Sequence, residues 1–131
     1  MNLKEFYNLG KELIQGENVS EVKIRTSIGR IYNYVFHYVR ENCREHPDSR
    51  FRNGKGDHQE AVEFLKRIEE RRLASILTSL TDQRNNAEYD LKLSFTIQKA
   101  EDYIDDADDF IDRFNNRNIT KRRAKQKKLR R

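Results

Sequence analysis

Tryptophan is absent from the 131 residues, and cysteine, methionine and proline each occur once. The lone Cys43 cannot close an internal disulfide, and no second cysteine stands beside a histidine to complete a tetrahedral zinc site. Disulfide scaffolds and zinc fingers are thereby excluded. No apolar run approaches the roughly 20 residues that a membrane-spanning helix needs, and the segment Met1 to Gly10 has no apolar stretch suited to a secretory signal. The expected address is the cytoplasm, with no membrane partner. Glycine is also scarce, and Gly29 stands alone inside GRIYNY, so no phosphate-cradling loop and no nucleotide cofactor are expected. Hydrophobic residues make up 35% and charged residues 37%, against roughly 25% charged in an average domain, so a core must be concentrated on a few strongly patterned faces.

What the chain has in excess is positive charge at one end. It carries 27 Lys and Arg against 22 Asp and Glu, a formal net charge of +5. Eight of the basic residues, Lys121, Arg122, Arg123, Lys125, Lys127, Lys128, Arg130 and Arg131, fall in the last eleven positions, KRRAKQKKLRR. The remaining 19 basic residues face 22 acidic ones, so the body is mildly acidic, at −3. A block of like charges repels itself, and the segment 117–131 is expected to be a disordered tail behind a folded domain of residues 1–116. Such a tail suits phosphate neutralisation and the gathering of RNA or DNA, with steep salt dependence. The plainer alternative is a solubilising terminus or a docking arm for an acidic partner.

The only proline, Pro47, lies in the polar stretch Asn42 to Gly56, which is expected to be the one long internal loop. Elsewhere apolar residues recur at spacings of three and four, which predicts an all-α protein. A first helix is expected over 2–15, interrupted by Gly10 and closed by Gly16. A second runs from a Ser20 N-cap to about Asn42 through Ile24, Ile28, Ile31, Tyr32, Val35, Phe36 and Val39, and its wide apolar arc makes it central. Asp57 to Glu60 has capping-box spacing and opens a third helix, which ends or kinks at Glu69 to Arg72 although no proline or glycine forces a break. A fourth continues on Leu73, Ile76, Leu77 and Leu80, and the last covers 96–114. The expected architecture is an up-and-down bundle of four long helices with a short extra one.

Extending the apolar row of the fourth helix by the same spacing lands on Arg84 and Ala87, which puts a guanidinium at a position otherwise reserved for packing. The structural explanation is a pair with Glu88 one turn on, or with Asp102 or Asp105 of the last helix. The functional one is a donor poised for phosphate oxygens, which a planar fork fits.

Around that arginine the chain resembles a known family. The stretch Arg25 to Arg40, RTSIGRIYNYVFHYVR, is similar to the first long helix of the HEPN superfamily (higher eukaryotes and prokaryotes nucleotide-binding domain), the match falling on Arg30, Tyr32, Phe36 and His37. Gly56-Asp57-His58-Gln59 resembles the family's polar loop and helix start. The segment Arg84 to Asp90, RNNAEYD, resembles the signature found in one branch as R-x-x-A-D-Y-D. The resemblance covers about residues 1–115. It implies a helical bundle that pairs as a homodimer through the signature helix, and in branches with an intact motif a metal-independent endoribonuclease whose Arg and His meet at one RNA phosphate. It also implies a setting in toxin–antitoxin or antiviral defence systems, commonly beside a nucleotidyltransferase partner. The carried-over site residues are Arg84, Asn85 and Tyr89. Tyr89 occupies the place where the family has its His, and a phenol with pKa near 10 is a poor base at neutral pH. On a helix it also lies ~140° around the axis from Arg84, so the resemblance leaves open a catalytic protein with a dimer-composite site and a silent HEPN module that binds RNA or a partner enzyme. A helical interaction protein with no RNA role is the third alternative.

The acidic run Asp105 to Asp109 reads as the wet face of the last helix, without the glycine and distal Glu of a calcium loop. His37 and His58 are read first as structural, and second as substitutes for the missing imidazole. Of the tyrosines, Tyr32 is in phase with the core.

Overall fold

The computed structural model describes residues 1–117 and residue 119. The eight basic tail residues, Lys121 to Arg131, lie outside the described residues. Five helices follow one another, with no strand among the described residues: α1 (Lys4–Leu13), α2 (Glu21–Cys43), α3 (Asp57–Arg67), α4 (Arg71–Tyr89) and α5 (Ile97–Asn116). The protein is all-α, as its periodicity predicts. Three helices are long and two are short, in place of the expected four and one, because α1 stops at Leu13 and α3 is cut off after Arg67.

Helix α2 is the central element and packs against each of the other four. Ser20 caps it, its hydroxyl accepting from the Lys23 amide at 3.3 Å. Ile28, Ile31, Tyr32, Val35 and Val39 are buried along its length, meeting Leu73, Leu77 and Leu80 of α4 and Tyr103 and Phe110 of α5 in one core. Gly10 does not interrupt α1; it is the point where α1 touches α2. The Ser27 hydroxyl donates to the Gly10 carbonyl at 2.6 Å, and a Cβ on Gly10 would lie 2.7 Å from Ile31 Cγ1 and Cδ1.

The capping box expected at Asp57 does not form. Gly56 occupies the N-cap position, and the buried Asp57 carboxylate accepts instead from the Arg52 and Asn53 amides, both at 2.8 Å. Glu60 likewise accepts from the Arg50 amide at 2.7 Å and from the Arg67 fork at 3.0 and 3.1 Å. The loop after Pro47 has amides without helical partners, and these carboxylates are their acceptors. The α3–α4 break is made without glycine. Glu69 sits in the left-handed region at φ 63°, while the Glu69 amide bonds Lys66 O and the Glu70 amide bonds Leu65 O, the Schellman pattern. The Glu70 carboxylate is buried against Arg117 Nε at 2.9 and 3.1 Å, which ties this turn to the end of α5.

Arg25 fixes the other end of α4. Its guanidinium donates to the carbonyls of Ala87 and Asp90 at 3.0 Å each, to Leu93 O, and to Glu21 at 3.3 Å, and it lies over the Phe95 ring. A cation at the negative end of a helix, bonded to its last free carbonyls, is doubly favourable. The start of α2 is thus clamped to the end of α4, and this sets which residues of the two helices face each other.

Candidate functional site

At the α2–α4 crossing the Arg84 guanidinium stands over the ring of Tyr32, Cζ to centroid 5.1 Å. Its Nε donates to Glu88 Oε1 at 3.0 Å and its Nη1 to Asn85 Oδ1 at 2.9 Å. Nη2 has no partner among the described residues, and 22% of the side chain is exposed. The Glu88 pairing anticipated from sequence is therefore present; Asp102 and Asp105 take no part in it. The arginine is oriented by one turn of its own helix and a ring below, with one edge of the fork left open.

The Tyr32 phenol leads to a third helix. Its oxygen shares a hydrogen bond with His58 Nδ1 at 2.7 Å, and the His58 ring lies on Phe36 with centroids 4.0 Å apart and planes within 14°. His58 sits in the first turn of α3, so α2, α3 and α4 each contribute one member of this cluster. Its Nε2 has no partner among the described residues. Farther along α2, His37 Nδ1 accepts from Arg40 Nη2 at 3.0 Å, while Arg40 lies over Phe36 and 4.0 Å from buried Asp57.

Burial, then the positive charges of Arg84, of His37 when it is protonated, and of Arg40, hold His58 below the usual imidazole range. Burial and Arg40 do the same for His37. Both are neutral at neutral pH as a result. An unprotonated imidazole beside a half-open guanidinium combines an anion donor with a group able to accept a proton, so the arrangement can hold a phosphate oxygen and take a hydroxyl proton nearby. Burial pushes the Tyr32 phenol up, opposed by the Thr81 hydroxyl and Arg84. Tyr32 is 1% exposed and is closed to a stacking base.

Of the residues singled out from sequence, Arg84 and Asn85 are together and Tyr89 is apart. Tyr89 ends α4, 72% exposed, with no contact to Arg84. The acids Asp105, Asp106 and Asp109 lie on the outer face of α5, and no three potential metal ligands cluster among the described residues. The Tyr32–His58 link was not legible as spacing, since it depends on how three helices cross; the only sequence trace was a histidine at a helix start. No family model, no characterised protein and no solved structure matches the chain.

Proposed function

We propose that the protein binds single-stranded RNA with a backbone phosphate on Arg84, as a HEPN-like module of the prokaryotic toxin–antitoxin or antiviral defence type acting in the cytoplasm. The observation that carries this reading is the guanidinium held over Tyr32 with Nη2 free, beside a neutral His58 that shares a hydrogen bond with the same tyrosine. On this reading His58 supplies the imidazole that the signature segment lacks at Tyr89, a homodimer carries two such sites, and the basic tail, Lys121 to Arg131, gathers RNA. The chemistry open to the pair is attack of a ribose 2′-OH on the adjacent phosphorus with breakage of the P–O5′ bond, giving a 2′,3′-cyclic phosphate and a free 5′-OH; Arg84 stabilises the charge that builds on the phosphate, His58 accepts the 2′-hydroxyl proton, and the leaving 5′ oxygen takes a proton from solvent.

The test is equilibrium binding of a labelled single-stranded RNA without metal, followed by analysis of its ends. Arg84→Gln is expected to weaken binding about ten-fold, the loss of one charge-assisted contact. Cleavage leaving 2′,3′-cyclic phosphate ends, abolished in Arg84→Gln and His58→Gln, makes the protein a nuclease. Binding without cleavage leaves it a silent module. Wild-type affinity in Arg84→Gln contradicts the reading. A second reading, a catalytically inactive partner for a nucleotidyltransferase, is favoured by one observation: the exposed Tyr89 stands away from Arg84 with Val22 and Leu91 also bare around it. Co-purification with such an enzyme, dependent on Tyr89 and indifferent to RNA, is its signature.

A further inference from the structure

Most polar side chains on the α2–α4 face are already engaged. Arg25 is spent on the carbonyls at the end of α4, Thr26 donates to Val22 O at 2.7 Å, and Arg84 and Glu88 hold each other. Two are not. Neither Arg30 nor Tyr89 makes a hydrogen bond, ion pair or ring contact among the described residues, and both line the same groove, of about 400 Å³, between the first half of α2 and the last turn of α4. Gly29 lines it as well, and a Cβ there would come within 3.1 Å of Glu88 Oε1. Glu88 lines the groove and bonds Arg84, so the groove opens directly beside the guanidinium assigned to RNA above.

We propose that this groove is a nucleotide subsite, in which Tyr89 stacks on a base of single-stranded RNA and Arg30 holds a phosphate flanking the one on Arg84. The proposal rests on the Arg84 reading and extends it by one nucleotide. A phenol exposed over most of its surface offers a flat face of the kind on which bases stack irrespective of sequence. A guanidinium without an internal partner, placed beside that face, supplies the charge that the backbone needs. A volume of about 400 Å³ falls within the range of small-ligand clefts. Tyr89 then acts as a platform and not as a proton carrier, which accounts for its distance from Arg84.

The experiment uses the full chain and a short single-stranded RNA carrying 2-aminopurine at each position in turn. Stacking on tyrosine quenches this base. Fluorescence is expected to fall on binding at one position, with the fall lost in Tyr89→Ala, retained in Tyr89→Phe, and accompanied in Tyr89→Ala by a roughly ten-fold weaker affinity. In Arg30→Gln the slope of log affinity against log salt is expected to decrease by about 0.7, one single-strand phosphate contact. Arg84-dependent binding with unchanged quenching in Tyr89→Ala overturns the subsite and leaves the Arg84 reading standing. Loss of self-association in Tyr89→Ala at unaltered RNA affinity also overturns it, since the groove is then an interface between copies. No RNA binding by the wild type overturns both.

Discussion

His58 shows most directly how neighbours set the chemistry of one side chain. It is half-buried, with Arg84, His37 and Arg40 all disfavouring its protonation, against which buried Asp57 acts in the opposite sense. Removing one cation therefore moves its titration back toward the ordinary value of about 6.5. A pH titration of the imidazole carbon-bound protons by NMR is expected to give a midpoint below that of free histidine in the wild type and a higher one in Arg84→Gln; equal midpoints contradict the proximity argument. The same shift enters stability. The folded-state pKa is below the unfolded one, so the unfolded chain binds the proton more readily, and stability present above about pH 6.5 is lost as pH falls toward the folded value. His37 contributes in the same direction. His58→Gln is accordingly expected to flatten, without abolishing, the acid side of a stability–pH profile.

At the scale of elements, the turn between α3 and α4 is the clearest strained joint. Glu69 adopts a left-handed conformation that L side chains disfavour by ~1–2 kcal/mol, and glycine is the usual occupant of that place. Glu69→Gly is expected to raise unfolding free energy by about 1 kcal/mol in urea denaturation, since the Schellman bonds are backbone bonds and survive the change. A loss of stability would mean that the Glu69 side chain contributes more than its backbone costs. This joint also marks how far the elements were legible. Ser20 and Pro47 announced themselves, because a cap or a breaker acts on its own few neighbours, whereas Thr96 reads only as the start of the last helix and proves to be its N-cap. Asp57 and Glu60 had the spacing of a capping box and went instead to loop amides; the charged run alone places the break at Glu69 to Arg72, while the means by which it is made, a left-handed Glu69 and a buried Glu70–Arg117 pair joining residues 47 apart, left no local signal. Arg25 was legible as part of a similar helix and not as the cap of α4, for the same reason.

At the scale of the molecule, three helices bring Arg84, Tyr32 and His58 together in one cluster. The sequence placed Arg84 on a face reserved for packing, and periodicity was enough for that. It offered His58 and His37 alike as substitutes for a missing imidazole, and nothing local in the chain tells that His58 is the one joined to Tyr32, where α2 meets α3 and α4. No helix among the described residues is long and apolar enough to cross a membrane. On the proposed reading, the charge asymmetry between an acidic body and a basic end divides RNA binding into two components, a site contact on the bundle and a less selective one from Lys121 to Arg131, and both are expected to weaken with salt. They separate in a measurement that observes the site itself. Titration of a short single-stranded RNA into isotope-labelled protein is expected to give saturable shifts of the Arg84 side-chain Nε–H and the His58 ring, at concentrations matching the affinity and lost in Arg84→Gln. Binding whose shifts leave Arg84 and His58 unmoved would contradict the claim that this crossing is where the protein meets its ligand.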